Sequence, residues 1–118
     1  FVLGLVTGSS RSVVEENVTP TGVAGLFQAV VSGDEVARGK PDPEPYLRAA
    51  CRLGVEPGEC LVVENAPLGI QAARAAGMAC AGLATTLLAE RLAAAGADPV
   101  FGTTADLRDW LLARWRGD

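Results

Sequence analysis

Histidine is absent from the 118 residues, and lysine occurs once against nine arginines. Without an imidazole, no Ser-His-Asp or Cys-His catalytic pair and no histidine-based zinc site can be assembled from these residues. Cysteine is scarce. Cys51, Cys60 and Cys80 lie in or beside apolar runs with no CxxC spacing, which reads as buried thiols in a reducing cytosol rather than disulfides or metal ligands. No apolar run reaches the length of about 18 residues that a membrane helix needs. The opening FVLGLV is too short for a signal peptide and lacks its basic flank, so it reads as a strand and the chain as cytoplasmic. A net charge of −4 argues against a nucleic-acid or anionic-membrane partner.

The composition, 49% apolar and 20% charged, is that of an ordinary globular domain, and 118 residues suit one domain with one core. Strand and helix signals alternate. The continuous apolar run 1–7 predicts a strand buried on both faces. Ser12 and Glu15 form an S-x-x-E capping box for a short helix carrying Val13, Val14 and Val18, and Thr19-Pro20-Thr21-Gly22 ends it. A second strand is expected over 27–31 and a long loop over 32–42. Asp42 and Pro43 open a helix with a stripe of Leu47, Ala50 and Cys51, and Gly54 lies just past its end. Strands over 60–63, 81–84 and 99–102, the last an edge strand, alternate with helices starting at Pro67, spanning 87–96 and spanning about 105–116. Ile70, Ala73 and Ala76 mark the packed face of the first of these helices, and Leu107, Trp110, Leu111 and Trp115 that of the last. Such alternation implies a parallel sheet with helices on both faces, a three-layer α/β sandwich in one domain over residues 1–118.

Three segments carry groups suited to a phosphate or its metal. Thr7 closes the first apolar run in LVTGSS (5–10), Gly8 permits a sharp turn that presents N–H groups, and Ser9 adds a donor near a helix start. The same hydroxyl would also serve as a plain helix cap. Lys40, the single lysine, sits between Gly39 and Pro41 in RGKPDP (38–43), where a compact ammonium could pair a phosphate with a carboxylate or simply stay solvated. Glu64 and Asn65 close a buried run in VVENAPLG (62–69) ahead of a proline-started helix. They offer oxygens to a hard cation such as Mg²⁺, with Asn65 equally suited to an N-cap. Groups at strand ends and helix starts of a parallel α/β sheet converge on one crevice, so Thr7, Lys40 and Glu64 are expected on one face.

LVTGSSRS, GKPDPEPYLRAACRLG and CLVVENAPLGIQAARAAGM, in this order, resemble the haloacid dehalogenase superfamily, in its branch of sugar-phosphate phosphatases and β-phosphoglucomutase-like enzymes. The resemblance covers residues 1 to about 85, and the remainder fits the end of the same Rossmann-like core. It implies a Mg²⁺-dependent phosphohydrolase acting on a small phosphorylated metabolite through an aspartyl-phosphate. By the same resemblance Thr7 binds the transferring phosphoryl group with Gly8 and Ser9 lining its pocket, and Lys40 neutralises nucleophile and phosphate together. Glu64 and Asn65 match the acidic pair that holds Mg²⁺, with Gly69 in the helix turn that follows. The second member of that pair is usually Asp, and Asn65 keeps the oxygen while removing a charge.

The family's first motif, DxDx[TV], which supplies nucleophile and general acid/base, has no counterpart here. Asp34, Asp42, Asp98, Asp106, Asp109 and Asp118 include no pair spaced by one residue behind an apolar run. The cap domain has no counterpart either. The expectation is therefore a carboxyl-terminal portion of a longer protein, inactive alone. In the family the first-motif strand lies between those ending here at Thr7 and Glu64, so its omission leaves a slot with unpaired backbone groups on each side. A missing segment fills it, the two strands close up, or another chain supplies a strand. A phosphomutase and a non-catalytic anion-binding or interaction domain are the alternative functions. A response-regulator receiver is disfavoured because no strand-end Asp precedes Thr7 or Lys40.

Overall fold

The computed structural model describes residues 2–85 and 87–115. Phe1 of the first predicted strand and Arg116 of the last predicted helix lie outside the described residues. Chain order is β1 (Gly4–Val6), α1 (Arg11–Asn17), β2 (Ala29–Val31), α2 (Glu44–Leu53), β3 (Leu61–Glu64), α3 (Pro67–Ala75), β4 (Ala79–Leu83), α4 (Ala89–Ala95), β5 (Val100–Phe101) and α5 (Thr104–Arg114). All strand pairs are parallel, and the expected alternation is present in full.

The strands form two sheets rather than the single sheet expected. β1 pairs with β2, Leu5 opposite Val30, and β3, β4 and β5 pair in that order, with Glu64 opposite Gly82 and Leu83 opposite Phe101. Among the described residues β1 and β3 are not partners, so the strands have not closed up and each keeps one free edge. Beside those edges Leu3 is 41% and Val63 42% exposed, a degree of wetting foreign to the interior of a parallel sheet.

Helix α2 spans the division. It packs on β1 and β2 and meets α3. Its last turn carries Arg52, whose guanidinium donates to the Val30 carbonyl at 2.7 Å and pairs with Glu35 at 2.6 Å. Glu35 also pairs with Arg11 at the start of α1 at 3.0 Å. Its carboxylate therefore joins both flanking helices to the turn after β2.

The main core gathers around α3, where Ile70, Ala72, Ala73 and Ala76 are buried against Val62, Cys80 and Leu92, with Tyr46 and Ala50 of α2 and with Val6 at the margin. The face expected for α3 is the observed one. Pro67 starts this helix, and Gly77 follows its end with φ +79° in the left-handed region.

Other local expectations are corrected. Helix α1 is capped by Ser10, whose hydroxyl accepts from Val13 N–H, not by Ser12, because the chain turns two residues earlier than the capping-box pattern implied. The buried face of α2 is Pro45, Tyr46, Ala49 and Ala50, while Leu47 and Cys51 are exposed. The observed face lies one residue before the expected stripe because α2 turns Tyr46 inward. Of the cysteines only Cys80 is buried, Cys60 being half-buried. Leu107 is buried, but Trp115 lies just past α5 and is 40% exposed. It packs edge-on against Trp110, which in turn covers Phe101 of β5.

Two outcomes are expected from this packing. Ile70, fully buried, should lose about 3 kcal/mol on truncation to Ala, whereas Leu47→Ala should shift the urea midpoint hardly at all. Glu35 has its carboxyl held down to about 2, from 4.5, first by Arg52, then by the Ser32 N–H and hydroxyl. The folded value lies below the unfolded one, so this contribution is complete above about pH 4.5 and is lost as pH falls towards 2. Urea midpoints of the parent and Glu35→Gln, measured from pH 6 downward, should differ near neutrality and converge on acidification.

Candidate functional site

Glu64 is the last residue of β3. The strand alternates, so Val62 and Glu64 turn inward while Val63 faces out. A carboxylate only 8% exposed needs donors, and three are present. Oε1 accepts from Lys40 Nζ and from the Tyr46 hydroxyl, each at 2.5 Å, and Oε2 accepts from the Asn65 N–H at 3.2 Å. Behind it stands Gly69 in the first turn of α3, where a Cβ would collide with the carboxylate. A proline start at Pro67 brings that turn directly under the strand end.

Lys40 is not the solvated lysine of the alternative reading. Its side chain is 21% exposed, and its ammonium pairs with Glu64 and lies 5.2 Å from the centre of the Tyr46 ring. An ammonium has three N–H donors. Among the described residues one is engaged, by Glu64, so two remain for oxygens arriving from outside. The loop that delivers Lys40 is tied to α2, because Glu44 accepts from the backbone N–H groups of Ala37 and Arg38. Asp42 Oδ1 in turn accepts from the Glu44 N–H at 2.9 Å, but the N-cap of α2 is Pro43 rather than the expected Asp42, so the helix starts one residue later than the sequence implied.

Tyr46 is the residue that sequence reasoning passed over. Burial, and then the carboxylate it donates to, push its hydroxyl far above the ordinary tyrosine range, so it is a fixed donor rather than an acid. A signal was available: a tyrosine on the inner face of a helix needs a partner for its hydroxyl, and Glu64 was the buried acceptor without one. Cys80, beside the same carboxylate, is pushed up to about 11, first by burial and then by Glu64, and is an inert core thiol.

Thr7 follows the last residue of β1 and extends its ladder, donating its N–H to the Val31 carbonyl at 3.0 Å. Its hydroxyl oxygen accepts from the Ser9 N–H at 3.1 Å, which leaves the O–H proton free to donate. It does not cap α1; Ser10 does. Among the described residues no hydrogen bond joins Thr7, Gly8 or Ser9 to Lys40 or Glu64. The structure thus brings Lys40 and Glu64 together, and it places Thr7, Gly8 and Ser9 in a separate loop at the end of the other sheet. Asn65 is exposed, and the N-cap of α3 is Ala66, with no side-chain cap, so Asn65 is not the N-cap. For a hard cation this chain offers the Asn65 carboxamide oxygen and the remaining capacity of Glu64 Oε2, and no cluster of three acidic or sulfur ligands exists among the described residues. Those two oxygens fit part of a Mg²⁺ shell, which is normally shared with waters and substrate phosphate.

A parallel α/β core with a strand-end carboxylate paired to a lysine defines a class, and comparison with known proteins agrees. The profile of the haloacid dehalogenase-like hydrolases matches residues 1–83, and the chain belongs to that family. It is 47% identical over 93 residues to validoxylamine A 7'-phosphate phosphatase of Streptomyces hygroscopicus subsp. limoneus, covering 79% of this chain and 44% of that protein. Over 72 residues it is also 47% identical to fructose-1-phosphate phosphatase YqaB of Escherichia coli, covering 61% and 38%. Among solved structures, a hydrolase of the family from Deinococcus radiodurans with bound phosphate and sodium superimposes with a TM-score of 0.83 at 30% identity, covering 96% of this chain and 52% of that one. CbbY from Rhodobacter sphaeroides in complex with phosphate gives 0.81 at 30% identity, covering 91% and 48%. The chain spans about half the length of these relatives or less.

Removing either donor to Glu64 should be costly. Lys40→Met leaves a buried carboxylate without its counter-charge and should destabilise by about 3 kcal/mol. Tyr46→Phe, which keeps the ring, should cost about 2 kcal/mol as a lost hydrogen bond to a charged group. Chemical denaturation at neutral pH checks both, with Leu47→Ala as the silent control.

Proposed function

We propose that this chain is the phosphate- and metal-binding portion of a Mg²⁺-dependent phosphohydrolase that acts on a small phosphorylated metabolite in the cytoplasm. The observation that carries the reading is the pairing of the chain's one lysine with Glu64. An ammonium held by one N–H to a buried carboxylate, with two left over among the described residues, is a compact point charge placed to pair phosphoryl oxygens with that carboxylate. The phosphatases among the relatives support the reaction class.

In this reading Thr7 donates its hydroxyl proton to a phosphoryl oxygen, Gly8 and Ser9 line the same pocket, and Lys40 offsets the charge that builds on the oxygens during transfer. Glu64 fixes Lys40. Asn65, with the free capacity of Glu64 Oε2, would hold Mg²⁺, which when bound adds further positive charge against the phosphoryl oxygens. The nucleophile and general acid/base are aspartates on a strand that these 118 residues do not contain. Their place is between the free edges of β1 and β3, where that strand would recover the missing ladder bonds.

The test is release of inorganic phosphate from p-nitrophenyl phosphate with Mg²⁺. The 118-residue chain alone should show no turnover. A polypeptide in which a DxDx[TV] strand precedes it should be active, and Lys40→Met in that protein should lower kcat by about 100-fold or more. Turnover by the isolated chain that survives Lys40→Met would overturn the assignment.

A further inference from the structure

The turn from Ser32 to Glu35 follows β2, and its hydrogen bonds run not to Lys40 or Glu64 but to the loop after β1. Gly33 donates its N–H to the Ser9 carbonyl at 2.6 Å. The Gly8 carbonyl sits so close to the Gly33 Cα that a Cβ there would overlap it. Both carboxylate oxygens of Asp34 accept from the Arg11 N–H, at 3.2 Å each. Asp34 is itself fixed by the hydroxyl of Ser32, a fully buried residue, which donates to Oδ1 at 2.5 Å. That hydroxyl and the Arg11 N–H hold the Asp34 carboxyl below its ordinary range.

These contacts grip the segment Gly8–Arg11 from one side and leave its outward groups alone. The N–H groups of Gly8 and Ser10 have no acceptor among the described residues, and the Thr7 hydroxyl proton is unengaged. A loop that binds an anion through backbone N–H groups must hold them aimed before the anion arrives, since ordering it on binding costs conformational entropy and hence affinity. The structure assigns Gly33 and Asp34 as positioning residues for the phosphate-binding loop Thr7–Ser9. Gly33 sets the loop's depth by contact with Gly8 and Ser9, and Asp34 sets its exit into α1 through Arg11. The assignment deepens the proposed function and rests on its phosphate reading of this loop. The contacts of both residues are with the loop and its exit, so their effect runs through the loop.

Amide NMR of the chain during titration with inorganic phosphate tests this, using Gly33→Ala, Asp34→Ala, Asp34→Asn and a control. Thr103→Ala is the control because it removes a similar side-chain cap, from α5, far from the loop in sequence. Phosphate affinity should fall about tenfold or more in Gly33→Ala and Asp34→Ala, and stay within about twofold in Thr103→Ala. Asp34→Asn, which keeps one acceptor, should fall between. Affinities in both loop variants equal to that of Thr103→Ala would overturn the assignment. If the parent chain binds no phosphate, the phosphate reading fails and amide exchange decides the positioning separately. Exchange at Gly33 and Arg11 should then quicken in Asp34→Ala and Asp34→Asn while β3 amides stay unchanged, and unchanged exchange at Gly33 and Arg11 would overturn it.

Discussion

A carboxylate taken out of water at the end of a strand sets the terms for this molecule. Glu64 needs donors there, and each donor comes from a different part of the chain: Lys40 from the loop before α2, Tyr46 from the first turn of α2, and the Asn65 N–H from the entry to α3. Bringing them together fixes how that loop and both helices sit on β3. Gly69 completes the arrangement by having no side chain where the carboxylate must lie. The structural requirement and the chemical one coincide, because the same contacts that satisfy Glu64 also order the only lysine.

The second constraint is the division of the sheet. β1 and β2 are too short to make a core of their own, and they are held to the rest by α2, whose two ends reach opposite sides: Tyr46 to Glu64 on β3, and Arg52 to Val30 on β2 and to Glu35 beyond it. A helix anchored at both ends resists the collapse of β1 onto β3 that loss of ladder bonds would otherwise favour. The free edges therefore stay apart and wet rather than pairing out of register.

Much of this was legible in the residues. Continuous apolar runs, proline starts and glycine ends gave the alternation of elements, and Lys40 and Glu64 could be named from their positions beside Pro41 and at a strand end. The misses have physical causes. Leu47 read as core because leucine is apolar, yet α2 buries small residues and a tyrosine so that it can lie close to its neighbours. Tyr46 was overlooked because a hydroxyl's partner is a matter of three-dimensional satisfaction, not of spacing. Ser10 took the cap from Ser12 because helix entry is set by the turn that Gly33 and Asp34 hold, a contact more than twenty residues distant in sequence. The split sheet was legible only as a question, since the sequence could show that a strand was lacking but not which of three responses the chain would make.

The two halves of the candidate site differ in how they are supported, and the difference follows from charge. Lys40 is positioned by a buried anion, so its support is strong, short-ranged and indifferent to salt. Among the described residues no buried charge contacts the Thr7–Ser9 loop. It is held by backbone hydrogen bonds, by the contact between Gly8 and Gly33, and by a half-exposed group of carboxylates and arginines around Ser32. In the proposed function an anion entering from solvent would meet an ammonium already held by Glu64. In the proposed loop it would meet N–H groups held by a turn in which Glu35 is paired with the Arg11 and Arg52 guanidiniums, while Asp34 is hydrogen-bonded to the Arg11 backbone N–H and the Ser32 hydroxyl. Pairing Glu35 with two arginines lowers the repulsion that an acidic chain, with a net charge of −4, would otherwise present to an anion at the proposed site.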